Sequence, residues 1–483
     1  MHVRTKPANL VYIFSDEHSK EKLGCYGHPV VQTPNLDALA KRGVRFTNAY
    51  CNFPICIPSR ASMTTGSYAF TQRYWDNAHP YAGEHPGWGH RLTEAGYKAV
   101  TVGKLHYKDG ASPTGFPDQR LAMHVVEGIG DLYGSIRSRR QQRPRLAEAI
   151  RDAGPGESDY TRYDRAVAEQ AEQFLLEEAG REEEPWVLYV GFVTPHFPLI
   201  APEEYYNLYS HDEVILPRQY GMDERPMHPV LEEFRRYMNL DSAFDEPTVR
   251  KALAAYYGLC SFMDAQVGRV LQALKNAGLE DSTRIIYSSD HGDTTGDHGL
   301  WHKHTMYEGS IGVPLICAGP DIPSDVVLNA NVSLIDLYPT IVDGAGLKLD
   351  AREQALPGTS LWPIARGEHV PRRSVFAEYH AAGSITGMFM LRGERYKYVY
   401  YVDYEPQLFD LLEDPEELHD LAGRPEYGDV LARCECELRE IVDPEAVHAQ
   451  CRADQHALLN KYGGAEEVLR QGEKFAFSPT PTS

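Results

Sequence analysis

The sequence predicts an α/β fold: a large, mostly parallel sheet sandwiched by helices, with a smaller C-terminal α+β subdomain carrying an antiparallel sheet. Three observations carry this. Short β-rich runs alternate with helical patterns over the first 370 residues or so, the signature of a parallel sheet covered on both faces. Residues 186–193 are apolar almost throughout, as a strand buried on both faces must be. From about residue 371 the texture changes to close-spaced strands at 374–379, 387–392 and 395–401 with turn residues between them. At 483 residues the chain exceeds one ordinary core, so the expected division is 1–370 and 371–483.

The elements follow in order. Residues 9–15 form a β-rich run that ends at Asp16-Glu17. Thr33-Pro34 opens a helix and Lys41-Arg42-Gly43 closes it, as capping preferences expect. An extended segment at 44–46 leads to a loop and then to Cys56-Ile57-Pro58-Ser59-Arg60, at the start of another helix. The run at 97–102 delivers Gly103-Lys104-Leu105-His106. Residues 107–158 are less regular and hold a basic patch (Arg137, Arg139, Arg140, Arg143, Arg145), most simply a solvated face. A helix at 160–179 precedes the buried strand, which delivers Thr194-Pro195-His196. A Pro- and Tyr-rich excursion spans 198–246, and a long amphipathic helix spans 248–277. A strand at 284–287 then delivers Ser289-Asp290-His291-Gly292. A buried strand at 313–318 and a helix at 333–346 complete the large domain. Polar helical sequence fills the C-terminal end, and the last ten residues or so are expected to fray.

Composition narrows the function. A net charge of -21 argues against nucleic acid or an anionic membrane as partner, since both demand a basic surface. A small anionic substrate remains open if cations cluster locally. No apolar run approaches the roughly 20 residues of a membrane span. The run at 10–14 is far shorter than the about 7–15 residues of a signal-peptide core, so a cytoplasmic location is expected. The eight cysteines include no C-x-x-C pair and are expected to be reduced. The polar C-terminal helices could serve a homo-oligomer interface.

Four strands each deliver polar residues just past their C-terminal ends: Asp16-Glu17, Lys104/His106, His196 and Asp290-His291. In an open parallel sheet the ligand crevice lies beyond those ends. Asp16, Glu17, Asp290 and His291 offer mainly oxygen donors, which suits calcium or magnesium, and the one imidazole leaves manganese open. Arg60, Lys104, His106, His196 and Lys303 form the cation cluster that an anionic substrate needs. Cys56 reads as a buried thiol, a thiolate nucleophile, or a residue rebuilt after translation. The four-residue step to Arg60 does not fit the Cys-x5-Arg cradle of thiolate phosphatases.

Cys56-x-Pro58-Ser59-Arg60 followed by Thr65-Gly66 resembles the signature of the type I sulfatases, in the alkaline phosphatase superfamily. The resemblance runs from about residue 9 to 420. It includes Leu23-Gly24-Cys25-Tyr26-Gly27, Thr33-Pro34-Asn35-Leu36-Asp37, Phe46-Thr47-Asn48-Ala49-Tyr50 and Gly103-Lys104-Leu105-His106. Thr194-Pro195-His196, Ser289-Asp290-His291-Gly292, Gly296-Asp297-His298-Gly299, Leu300-Trp301-His302-Lys303 and Leu408-Phe409-Asp410-Leu411 continue it in family order.

The resemblance implies that Cys56 is oxidised to Cα-formylglycine by a separate maturation enzyme. The hydrated aldehyde then attacks a sulfate monoester and releases inorganic sulfate. It implies a single divalent metal, calcium first and manganese or magnesium as alternatives, held by Asp16, Glu17, Asp290, His291 and residue 56. It also implies that Arg60 fixes the hydrate, Lys104 and Lys303 bind sulfate oxygens, and His106 takes the proton in elimination. His196, with Lys303, would protonate the leaving alcohol, and Asn77 is a further sulfate or metal contact. Three positions depart from the family pattern: Glu17 for aspartate, His291 for asparagine, and Gly312-Val313-Pro314 without its usual arginine. The rival readings are a phosphonate monoester or phosphodiester hydrolase of the same superfamily, and an inactive binding protein. The alcohol part (sugar, aryl or small alkyl) is expected to be read by residues 107–158, 198–246 and the C-terminal subdomain, including His302, His304 and Glu378-Tyr379-His380.

Overall fold

The computed structural model describes residues 8–137, 141–368 and 372–481. Arg4, Lys6, Arg139, Arg140 and the expected boundary at 370/371 lie outside the described residues. The strands in chain order are β1 (Asn9–Asp16), β2 (Gly43–Tyr50), β3 (Lys98–Lys104), β4 (Asp118–Met123), β5 (Gly154–Pro155), β6 (Trp186–Pro195), β7 (Ile200–Ala201), β8 (Thr283–Ser289), β9 (Leu315–Ala318) and β10 (Val326–Ser333). Eight of them form one sheet in the order β10-β2-β9-β8-β1-β6-β3-β4, while β5 and β7 pair as a short ribbon. Strand β9 runs antiparallel to both of its neighbours and the remaining pairings are parallel.

The strands that deliver polar residues are four consecutive neighbours, β8-β1-β6-β3. Their register aligns the ends: Ser15 lies opposite Ser289, Asp16 opposite Pro195, and Gly103 opposite Gly191. Gly103 sits at φ +95°, and a Cβ there would fall 2.2 Å from the Gly191 carbonyl oxygen, so only glycine allows β3 and β6 to converge at this level. All ten residues of β6 are buried, and the 31-residue helix Glu246–Asn276 packs across this face. That helix starts where Asp245 accepts a hydrogen bond from the Thr248 N–H at 3.0 Å, with Pro247 in its first turn.

Two edge strands escape sequence periodicity. β4 (D-Q-R-L-A-M) is half-buried at most positions and β10 is solvent-facing along its first half, so neither shows an apolar run. The expected helix at 333–346 is shorter, Leu337–Gly344 after a 3-10 turn at Leu334–Asp336. The C-terminal sheet has four strands, β11 (Val375–Tyr379), β12 (Met388–Arg392), β13 (Tyr396–Tyr401) and β14 (Tyr404–Asp410), all antiparallel. A buried ion network ties it to the main sheet: Lys397 Nζ lies 2.7 Å from both Glu308 Oε1 and Glu417 Oε1, and Lys20 Nζ reaches Glu308 Oε2 at 2.5 Å. Removing one partner of such a buried pair costs about 3–5 kcal/mol, so the two sheets are held in fixed relation. The described part of the tail, to residue 481, does not fray as expected. Residues 476–478 fold back over the ends of β3 and β6.

Candidate active site

Helix α2 (Cys56–Thr65) points its N-terminus at the β1/β8 strand ends, and all ten of its residues are buried. Its N-cap position, Ile55, offers no side-chain oxygen. Asn77 supplies one instead, its Oδ1 accepting from the Ile57 N–H at 3.1 Å. Asn77 therefore holds the helix start as well as lining the pocket. Ser59 Oγ donates to the Asp290 carbonyl at 2.6 Å, clamping α2 to β8.

Arg60 is a strut. Its Nε donates to Asp290 Oδ2 at 2.8 Å and its Nη2 to Asp16 Oδ2 at 3.0 Å, while Nη1 serves the Lys104 carbonyl and the Tyr189 hydroxyl, each at 3.0 Å. These bonds orient the two aspartates, whereas sequence resemblance implies contact with residue 56.

Asp16, Cys56, Asp290 and His291 present donor atoms that all lie within 4.8 Å of one another, and all four residues are buried. His291 Nδ1 lies 3.1 Å from the Gly292 carbonyl, which can only accept, so the ring carries its proton there. The Nε2 lone pair is left facing Cys56 Sγ at 3.4 Å, Asp290 Oδ1 at 3.6 Å and Asp16 Oδ1 at 3.9 Å. A lone pair aimed at two carboxylates in a dry interior requires a cation between them, so these four residues fit a divalent metal. Burial and then the Lys303 charge hold His291 well below its ordinary value, keeping it a neutral donor. Burial would raise Asp16, but Lys104, His196 and Arg60 hold it well below the usual carboxylate range.

Glu17 stands apart from that group. Its backbone is left-handed (φ 65°), and its carboxylate joins Asp16 and His196 in a second buried group of possible metal donors, and Asp293 and His302 in a third. Oε2 sits 2.8 Å from Lys303 Nζ and 3.3 Å from His196 Nε2, and Oε1 is 3.7 Å from His302 Nδ1. The extra methylene relative to aspartate brings the carboxylate onto these cations while keeping it within reach of Asp16. Burial then raises Glu17, against the opposing pull of Lys303.

The cations surround the thiol. Lys303 Nζ lies 3.7 Å from Cys56 Sγ, and Lys104 Nζ lies 2.6 Å from Asp16 Oδ2. His196 Nδ1 is 2.7 Å from the Phe197 carbonyl, so Nδ1 carries the ring proton and Nε2 faces Glu17 beside the pocket. His106 Nε2 is 2.9 Å from Ser478 Oγ, a contact that the expectation of a frayed tail misses. Burial, with Asp16 adding to it, pushes the Cys56 thiol up to about 12 against the opposing lysines, so the encoded residue is a poor thiolate.

The pocket over Cys56 is tight, with a volume of about 40 Å³. Its outer wall is Asp131, Arg143, Tyr160, Tyr237, Phe477 and Ser478. Arg143, read from sequence as part of a solvated patch, is buried against Asp131 at 2.5 Å and Glu473 at 3.4 Å. His304 also lines the pocket, while His302 lies beneath it and Glu378 and His380 pair with each other at 2.9 Å away from it. Nothing in the sequence marks Asp131, Tyr160 or Tyr237, which sit at the end of a turn or helix without a motif.

The sulfatase family profile matches residues 8–347. The chain belongs to the sulfatase family. A second profile, N-sulphoglucosamine sulphohydrolase C-terminal, matches residues 296–443 of this sulfatase. It is 33% identical to the choline-sulfatase of Rhizobium meliloti (strain 1021), over 93% of this chain and 89% of that one. It is 30% identical to arylsulfatase K of Bos taurus, over 91% and 83% respectively. Among solved structures, a phosphonate monoester hydrolase of Agrobacterium radiobacter superposes with a TM-score of 0.73 at 25% identity, covering 92% of this chain and 96% of that one. A 2-O GAG sulfatase superposes with a TM-score of 0.71 at 26% identity, with the same coverage. The sulfatase is thus a sulfuric ester hydrolase with the α/β architecture of its family.

Proposed function

We propose that this enzyme hydrolyses a sulfate monoester through a formylglycine hydrate derived from Cys56, assisted by a divalent cation at Asp16, Asp290, His291 and residue 56. One observation carries this reading: Cys56 Sγ lies between His291 Nε2 at 3.4 Å and Lys303 Nζ at 3.7 Å, at the junction of the metal-ligand group and the cations. A cation bound there would polarise the sulfate oxygens and acidify the attacking hydroxyl.

The chain's own groups account for the proton and charge movements. Lys104 and Lys303 neutralise the sulfate oxygens. As one hydroxyl oxygen of the hydrate bonds to sulfur, its proton passes to Asp16 Oδ1, 3.7 Å from Cys56 Sγ; the sulfur–oxygen bond to the alcohol breaks, and the proton reaches the alcohol oxygen through His196 Nε2, 4.0 Å from that carboxylate oxygen. Glu17, 3.3 Å from that nitrogen and raised by burial, can hold and return the proton. The second hydroxyl then gives its proton to His106. The carbon–oxygen bond to sulfate breaks, and the aldehyde re-forms and is rehydrated by water. Arg60 keeps Asp16 and Asp290 in place throughout.

Intact-mass analysis of protein co-expressed with a maturation enzyme should show residue 56 about 18 Da lighter than cysteine. Full activity in a Cys56→Ser variant would overturn the reading. The likeness to a phosphonate monoester hydrolase supports a second reading, and the two separate on rates with a sulfate and a phosphonate ester of one leaving group. A clear preference for the phosphonate would select the second.

A further inference from the structure

A second cavity, of about 290 Å³, adjoins the tight pocket over Cys56, and Tyr237 lines both. Its charged lining is Arg137, Arg236, Arg452 and Glu233. Glu233 is matched to Arg236, whose Nε lies 2.9 Å from Glu233 Oε1. The other two arginines face no carboxylate among the described residues. Arg137 donates to Gln455 Oε1 at 3.1 Å and to the Ser384 carbonyl at 2.6 Å, and its Nη2 is buried with no partner. Arg452 has no hydrogen-bond or ion-pair partner among the described residues, and both arginines are half-buried and reachable. Two guanidinium groups that line one cavity without a carboxylate partner among the described residues, on a chain of net charge -21, favour an anion that offsets their repulsion.

Tyr237 supplies the link. It is 2% exposed, and its hydroxyl is buried without a partner. Burial raises its ionisation well out of the neutral range, so it remains a donor on the wall shared by the two cavities. The volume over Cys56 is about three water spheres, so the alcohol half of any sugar-sized ester extends beyond it, and Tyr237 is the lining residue that this pocket shares with the arginine-lined cavity. A cationic alcohol would find poor reception there. Asp131 is neutralised by Arg143 and Glu473 lies near both Arg143 and Arg145, leaving Arg137 and Arg452 as the unmatched charges beyond.

We propose that this cavity receives a second anionic group, a carboxylate or a second sulfate, on the alcohol half of the substrate. The enzyme then selects dianionic sulfate esters, with the reacting sulfate over residue 56 and the second anion between Arg137 and Arg452. The proposal rests on the sulfatase reading for which ester is broken, but it can be tested by binding alone.

The test uses calorimetry on the full-length Cys56→Ala chain, which binds without turnover. Three position-matched probes are compared: a hexose O-sulfate, the corresponding hexuronate O-sulfate, and the corresponding hexose di-O-sulfate. At least one dianion should bind about ten-fold or more tightly than the monoanion, the scale of hydrogen bonds to a charged group. The stronger of the two dianions identifies the second group. Arg452→Gln, whose side chain holds nothing in the fold, should remove most of that preference and leave monoanion binding within about two-fold. Arg137→Gln should do the same. If it lowers the melting temperature by breaking its bonds to Ser384 and Gln455, Arg452→Gln alone decides. Equal affinity for the three probes, or an equal loss for all three in Arg452→Gln, overturns the proposal. Turnover of the wild-type chain, with residue 56 shown to be converted, is scored separately. Absence of sulfate release there would sink the sulfatase reading without altering the binding result.

Discussion

The two walls of one pocket differ in how they are built. The inner wall is made by four neighbouring strand ends and one helix start, and its charged groups lock one another in place: Arg60 alone makes four contacts at 2.8–3.0 Å. The outer wall is assembled from Asp131 and Arg143, from Tyr160 and Tyr237 at the ends of two helices, and from the folded-back residues 476–478. Side chains on regular elements hold position through the sheet's own hydrogen bonds, which suits chemistry that tolerates little displacement. Loop and tail residues can vary without disturbing the sheet, which suits reading one alcohol among many. The difference locates reaction type on the inner wall and substrate choice on the outer one.

The sharpest way to break that division is at Cys56. Cys56→Ala should lower kcat at least about 10⁴-fold, the scale seen when a covalent nucleophile is removed. Sulfate-release assays under saturating ester measure it, and a loss below ten-fold would mean the inner wall does not carry the chemistry. His196→Ala should cost about 10²–10³-fold on an alkyl sulfate, as loss of a general acid does, and far less on an aryl sulfate with an acidic leaving group. A uniform loss on both esters would assign His196 to sulfate binding.

A smaller effect tests the frame that joins the walls. Asp76 accepts from Ser135 Oγ at 2.7 Å and Gln455 Nε2 at 2.8 Å, tying the loop that holds Asn77 to both the turn at Leu132–Ser135 and a C-terminal helix. Burial would raise it, but His79 and the hydrogen bonds hold it at about 2, below its ordinary 3.8. A depressed carboxyl contributes stability above its unfolded pKa that is lost as pH falls through the folded value. Wild type should therefore lose about 2 kcal/mol between pH 4 and pH 2 that Asp76→Asn does not lose over that window. Urea melts at the two pH values measure this, and parallel acid sensitivity in both proteins would refute it. The smallest effect belongs to the outer wall. Ser478→Ala removes one hydrogen bond to His106 and should change kcat/KM by about five-fold, the scale of a single such bond. No change in either kinetic constant would mean the tail only covers the site.

Much of the fold and of the inner wall is legible in the chain itself. Residues 186–193 read as a doubly buried strand because burial on both faces leaves no polar position. Asp16, Lys104, His196 and Asp290 could be placed because a parallel sheet collects the ends of its strands on one edge. Strands β4 and β10 were not legible, since edge positions facing water carry no apolar period. Glu17 shows the limit at a single residue. Its place in the motif implies a metal ligand, and the structure groups its carboxylate with Asp16 and His196 and sets it against Lys303, neighbours that no local pattern announces.

Periodicity and strand-end placement are local properties, and they determined the α/β architecture and the reactive edge, while the choice of Cys56 as its centre is what the resemblance of its motif implies. Whether a given arginine is solvated or buried depends on partners far away in the chain. Arg143 meets Asp131 and Glu473, and Arg137 meets Ser384 and Gln455. Such pairings carry no signal in the local sequence, because electrostatic and hydrogen-bond energies depend on distance in space. Only the tertiary structure decided the outer wall, the closing tail and the arginine-lined cavity behind Tyr237.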